Sequence, residues 1–219
     1  MAATLLTDHQ LSLLRQVGAA KSLSDRFYLT GGTALAGFYL HHRYSEDLDF
    51  FSEEAFELLP LNTFFKDAKQ DLGIIKIDFQ QSFNRNLFFL HLGDGVLKTE
   101  FTYFPFPRIE QGITRNGVKV DSLTDIAVNK LFTIYQQARA RDYIDLFFIC
   151  QNKAYAIKDL IVLAKEKFDY HIDHIQLGSQ FIKATEVKDY PHLITKVEPA
   201  TWQNFFLAEA KKLKSDILT

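Results

Sequence analysis

The chain carries one cysteine, one tryptophan and one methionine in 219 residues, with only 5 prolines and 10 glycines. A lone Cys150 excludes an internal disulfide, and with it the small disulfide-stapled class. Its place in the apolar run Leu146–Cys150 reads as a buried small hydrophobe in a reducing compartment. So little glycine and proline excludes collagen-like and low-complexity chains. Neither sign of charge predominates: 25 Lys and Arg stand against 27 Asp and Glu, a net charge of −2. Bulk attraction for nucleic acid or anionic membrane is therefore absent, and a polyanion must be met by a local patch. No apolar stretch approaches the ~20 residues of a membrane helix. No basic segment leads into an apolar run near Met1, so no signal peptide and no membrane partner are expected, and the location expected is cytoplasmic.

What is present is an ordinary globular balance, 47% apolar and 24% charged, with an excess of rings: 21 Phe and 9 Tyr. Phe pairs at 50–51, 64–65, 88–89, 147–148 and 205–206 read as a phenyl-packed core. A base-stacking surface would instead require some of these rings to be exposed. Periodicity predicts a helix over 8–20, a strand over 26–30, a helical segment over 33–42 and a strand over 47–51. Pro60 and Gly73 bracket a helix over 61–72. Strands follow at 74–80, 87–92 and 96–104, the last two joined by the turn Gly93-Asp94-Gly95, and at 118–120. From Ser122 the texture is helical. Ser122 to Asp125 resembles a capping box, and helices are expected over 123–138, 141–151, 156–167, 173–185 and 200–216. The fold class is α+β (mixed α/β): an α/β half over 1–121 and a helical half over 122–219, packed as one unit.

The stretch Tyr28–Phe51 carries the chemistry. A strand runs into Gly31-Gly32 and then into a helix, which lets backbone approach a ligand and turns N–H groups toward an anion. Asp47-Leu48-Asp49 sits in an apolar strand, so its carboxylates share one face. Such a pair is comfortable around a divalent cation, and its hard oxygens suit Mg²⁺ or Mn²⁺. A third acid is wanted on a neighbouring strand: Glu100 is favoured, with Asp78 the competitor. Arg43 and Ser45 precede the acids on their loop, and Arg43 either meets phosphate or bonds Asp47. The alternatives elsewhere are bland. His41 and His42 read as rim residues. His171 and His174, at i,i+3, lack the further ligands of a zinc site. Lys211, Lys212 and Lys214 read as a solvated face.

The order Gly-Gly, Asp-x-Asp and a later strand acid resembles the nucleotidyltransferase superfamily of the DNA polymerase β type. The string GGTALAGFYLHHRYSEDLDFF resembles the AbiEii/AbiGii-type toxin nucleotidyltransferases. So does Lys130 in VNKLFTIYQQARARDYIDLFFI, followed by Arg141-Asp142 and Asp145. The resemblance implies a small mixed sheet with flanking helices, followed by a helical C-terminal half. It implies that Gly31, Gly32 and Thr33 hold nucleotide phosphates, with Arg43 and Ser45 beside them. Asp47 and Asp49 would bind metal, with Glu100 as third ligand; Lys130 would contact the triphosphate and Asp145 would serve catalysis. The implied activity is Mg²⁺-dependent transfer of NMP from an NTP, with release of pyrophosphate, to RNA such as tRNA. The implied setting is a bacterial toxin–antitoxin or phage-defence pair with a cognate antitoxin. Transfer to a protein or small-molecule hydroxyl, or a silent nucleotide-binding module, are the alternatives.

Overall fold

The computed structural model describes residues 5–137, 139–153 and 155–217. The chain divides into two compact units. One comprises Met1–Tyr39, Ser45–Pro107 and Gln111–Ser122; the other comprises Leu40–Tyr44, Arg108–Glu110 and Leu123–Thr219. Two short segments of the N-terminal half, 40–44 and 108–110, thus belong with the helices.

The first unit opens with α1 (Asp8–Ala19), capped by Thr7 and Gln10 in a reciprocal box, and the short α2 (Lys21–Ser24). Strand β1 (Tyr28–Thr30) leads directly into α3 (Gly31–Leu35), which continues as one π-helical turn over Ala36–Leu40. Then come β2 (Leu48–Ser52), α4 (Leu59–Asp67), β3 (Lys76–Ser82), β4 (Arg85–Leu92), β5 (Gly95–Tyr103), β6 (Ile113–Arg115) and β7 (Val118–Val120). They form a seven-stranded mixed sheet in the order β3-β4-β5-β2-β1-β7-β6. Strand β2 pairs parallel with β5 and antiparallel with β1, and β1 pairs parallel with β7.

The phenyl rings pack as expected on one face of this sheet. Phe50 and Phe101 stack at 4.9 Å between centroids, and Phe65 meets Phe88 at 4.6 Å. Along β4 the alternation is strict: Asn86, Phe88, Leu90 and Leu92 are buried, whereas Leu87, Phe89 and His91 are half-exposed. The opposite face of β2 and β5 therefore holds the polar residues.

The second unit contains α5 (Leu123–Gln137), α6 (Ala140–Lys153), α7 (Ile157–Phe168), α8 (His174–Ile182), a 3₁₀ turn (Lys183–Thr185) and α9 (Pro199–Ile217). Tyr143, Trp202, Phe181 and Phe206 build its aromatic core. Asp125 is fully buried: it accepts Lys167 Nζ at 2.6 Å and the amides of Ile109 and Glu110, which ties segment 108–110 to the helices. Cys150 is buried, and burial pushes its thiol up to about 12. Among the described residues no helix is long and apolar enough to cross a membrane.

Candidate functional site

In the sheet unit, β2 alternates buried Leu48 and Phe50 with half-buried Asp49 and Phe51. The parallel register of β2 and β5 sets Asp49 directly beside Glu100. Paired residues in register share a sheet face, so the two carboxylates project together. Asp47 lies just before β2, not within it. Its carboxylate accepts Lys98 Nζ at 2.7 Å, and Lys98 stands two residues before Glu100 on the same face of β5. Asp78 lies on edge strand β3, three strands from β2, occupied by Lys76 and His91. Glu100 is therefore the acid beside Asp49.

Gly31 explains the Gly-Gly turn. It adopts φ +73°, and a Cβ there would stand 2.6 Å from Asp49 Oδ2. Glycine is thus required twice, for the left-handed backbone and for the carboxylate packed against it. Thr33 is 1% exposed; its hydroxyl donates to the Asp47 carbonyl and meets Ser45 Oγ at 2.9 Å. Gln10, also buried, donates to the Ser45 and Glu46 carbonyls at 2.9 and 3.0 Å. Thr33 and Ser45, expected at phosphates, here shape the loop that delivers Asp47.

The oxygen donors of Asp47 and Asp49 fit Mg²⁺, which needs only one or two carboxylates when substrate phosphates complete its shell. Glu100 fits less directly, because both of its oxygens are engaged. Oε1 accepts Arg85 Nε at 2.7 Å and Thr102 Oγ1 at 2.6 Å, and Oε2 accepts Arg85 Nη2. Burial alone would raise the Glu100 carboxyl, but Arg85 and Thr102 prevail and hold it below its ordinary range. Among the described residues no three His, Cys, Asp or Glu converge as a ready metal cluster. The bond to Glu100 raises Arg85 above its ordinary value, and the nearby charges of Asp49 and Asp47 add to it. Sequence reading missed Arg85 and Lys98. The period-two relation of Lys98 to Glu100 was a usable signal, whereas Arg85 depends on the β4–β5 register.

The helical unit gathers the remaining candidates. Asp145 on α6 is 0% exposed and accepts four bonds: Oδ1 from His42 Nε2 at 2.8 Å and Arg43 Nε at 2.7 Å, Oδ2 from Arg43 Nη2 at 2.9 Å and Lys130 Nζ at 2.8 Å. Lys130 on α5, itself buried, also donates to Asp142 at 2.8 Å. Burial opposes every charge here, yet Lys130 and Arg43 hold Asp145 well below the usual carboxylate range, and the two aspartates raise Lys130. Arg43, expected to meet phosphate or to bond Asp47, binds Asp145 and the Tyr44 carbonyl. His42 is not a rim residue but part of this buried group. A carboxylate with four donors and no exposure is a poor base, so the geometry points away from proton abstraction by Asp145. Segment 40–44 is further fixed by Tyr44 N–H to the His192 carbonyl and by Ile194 and Thr195 N–H to the His42 carbonyl.

Comparison with known proteins agrees with this architecture. Residues 12–215 match the family model described as nucleotidyl transferase AbiEii toxin, type IV toxin–antitoxin system. An uncharacterised Aquifex aeolicus protein, aq_aa25, is 32% identical over 165 residues, covering 74% of this chain and 76% of its own. Two Helicobacter pylori crystal structures share the fold at 20% identity. JHP933 has a TM-score of 0.59 with 96% and 94% of the two chains covered; a candidate nucleotidyltransferase has 0.61, with 96% and 97% covered.

Proposed function

Because the chain belongs to the AbiEii nucleotidyl transferase toxin family, we propose that this nucleotidyltransferase moves NMP from an NTP to an RNA acceptor such as tRNA, with Mg²⁺, as the toxin of a toxin–antitoxin pair. The observation that carries the reading is the row on one sheet face: Asp47, Asp49 and Glu100, interleaved with Lys98 and Arg85. The acceptor oxygen forms its bond to the α-phosphorus as the bond to the β-phosphate oxygen breaks. The hydroxyl proton passes to solvent water, and pyrophosphate leaves with the electron pair.

Mg²⁺ held by Asp47 and Asp49 would neutralise charge on the attacking and leaving oxygens. The chain supplies the rest. Gly31 leaves room for the Asp49 carboxylate, and Thr33 with Gln10 fixes the loop that carries Asp47. Lys98 and Arg85, partly exposed at 28% and 55%, stand where phosphate charge needs neutralising. Arg43, Lys130 and Asp145 hold segment 40–44, from which the backbone runs directly into Ser45–Asp49. We assign them this positioning role, because two of the three Lys130 donors are already given to Asp142 and Asp145.

The test is incubation with each α-labelled NTP, Mg²⁺ and total RNA. Label on RNA, lost with EDTA and in Asp49→Asn, is the expected result. Label on protein alone, or none with any NTP, overturns the RNA reading. Co-expression with the neighbouring gene product tests the antitoxin.

A further inference from the structure

The acid row on β2 and β5 carries two kinds of ion pair. Asp47 and Lys98 are both partly exposed. Glu100 and Arg85 are unequal: the Glu100 side chain is 5% exposed and the Arg85 side chain 55%. In the Arg43–Asp145 pair, by contrast, both sides are buried. A buried carboxylate needs a cation beside it for as long as it stays ionised. A guanidinium that is more than half exposed can return to water at small cost. Glu100 can therefore give up Arg85, but only to another cation.

The bonds to Glu100 are unevenly divided. Oε1 accepts Thr102 Oγ1 at 2.6 Å as well as Arg85 Nε at 2.7 Å, whereas Oε2 accepts Arg85 Nη2 at 2.5 Å. Thr102 is buried and lies two residues along β5, on the same face. When Arg85 departs, Thr102 still holds Oε1, and Oε2 turns to the cation that replaces the guanidinium. Asp49 stands in register with Glu100 on the neighbouring strand, and such strands lie about 4.8 Å apart. One hard cation can thus be shared by the two carboxylates. Arg85 arrives from the other side: it pairs with Thr102 across β4 and β5 and reaches Glu100 diagonally. Its withdrawal leaves both acid-bearing strands paired as they are.

We infer that Arg85 is a placeholder cation: it positions the Glu100 carboxylate beside Asp49 and yields it to a second divalent ion. The inference rests on the metal-dependent reading above and adds an order to it. The ion held by Asp47 and Asp49 competes with one half-exposed lysine. The second ion must displace two charge-assisted bonds from Arg85 to reach Glu100, so it binds more weakly. Arg85 thereby keeps the protein at one bound ion until the divalent concentration rises or substrate phosphates add their own oxygens.

Mn²⁺ binding without nucleotide, read by the electron spin resonance of the free ion, tests this. Wild type should show two unequal sites. Arg85→Ala should tighten the weaker site about tenfold or more, the worth of one hydrogen bond to a charged group, and change the tighter site much less. Arg85→Lys, a point charge in place of a fork, should fall between. Glu100→Gln should lose the weaker site alone. Melting temperature separates a placeholder from a merely structural arginine. Arg85→Ala should melt lower than wild type without metal and recover most of the difference in Mn²⁺. An unchanged weaker site in Arg85→Ala, with a melting loss that Mn²⁺ does not restore, overturns the placeholder role alone. No Mn²⁺ bound by wild type or any variant overturns it together with the metal reading. The expected two-site pattern without label transfer to RNA keeps the placeholder and removes the RNA acceptor.

Discussion

Asp145 in one unit and Asp47 in the other are both aspartates paired with basic side chains, yet their surroundings are opposite. Asp145 is 0% exposed and saturated by His42, Arg43 and Lys130. Asp47 is 32% exposed and meets Lys98, which is itself 28% exposed. A saturated buried carboxylate takes up a new ligand only by abandoning charges that have no water to fall back on. A half-open pair can exchange its lysine for a cation at little cost. On the proposed function, the difference separates holding from reacting: Asp145 and its partners hold segment 40–44, and strands β2 and β5 carry the acids.

The sharpest way to break that comparison is Asp145→Asn. Removing the anion takes the bidentate partner from buried Arg43 and leaves Lys130 with Asp142, for which about 3–5 kcal/mol of lost stability is expected. Thermal unfolding of the variant measures it; a loss below about 1 kcal/mol would mean that the cluster is solvated and the comparison mistaken. The same cluster predicts the pH dependence. Asp145 and Asp142 titrate below their unfolded values, so their stabilisation is full above about pH 4 and is lost as pH falls through the folded values. Lys130 titrates above its unfolded value, so its share is full below about pH 10 and lost as pH rises further. Melting temperature against pH should be flat in between for the wild type, and its acid limb should be shallower in Asp145→Asn.

Gly31→Ala is next in size. The positive φ costs about 1–2 kcal/mol, and the new methyl displaces Asp49 Oδ2, 2.6 Å away. Loss of both stability and transfer is expected, with Mg²⁺ dependence shifted to higher concentration. Lost stability with unchanged transfer kinetics would detach Gly31 from Asp49.

Much of this geometry was readable before the fold was known. The strand expected over 47–51 is observed as Leu48–Ser52, and a strand entering Gly31-Gly32 predicted a close backbone approach. Elements bounded by strong punctuation came out within a few residues, such as α5, expected over 123–138 and observed as Leu123–Gln137, with 138 outside the described residues. The helix expected over 33–42 begins two residues earlier and turns π-helical at Ala36, because the tight exit from β1 starts it at Gly31. The β3–β4 turn was invisible, since Phe83-Asn84 lacks the glycine that usually marks a two-residue hairpin. The Arg43–Asp145 pair was equally hidden. Its partners are separated by 102 residues, and no local pattern distinguishes an arginine that will be buried from one that will meet a phosphate.

Lys98→Ala sharpens the comparison from the open side. The pair with Asp47 is partly solvated, so at most about 1 kcal/mol of stability is expected to go, less at high salt. The larger effect should fall on substrate: NTP affinity weakens, while Mg²⁺ affinity measured without NTP holds or tightens, because a competing cation has left Asp47. Calorimetric titration of each ligand decides it, and weaker binding of Mg²⁺ alone would count against the displacement.

Asp49→Asn should change stability least and function most. The substitution keeps the shape that fits against Gly31 and removes one negative charge from a face already holding Asp47 and Glu100. Like charges in one row repel, so without metal the melting temperature should hold or rise slightly. With Mg²⁺ and NTP the wild type gains stability by mass action, and the variant should gain much less. Label transfer should disappear, because a neutral amide neither holds Mg²⁺ tightly nor supports the charge that develops on the phosphates. A marked fall in metal-free stability would show that Asp49 is a structural acid like Asp145, and the division between a holding unit and a reacting unit would then be wrong at its centre.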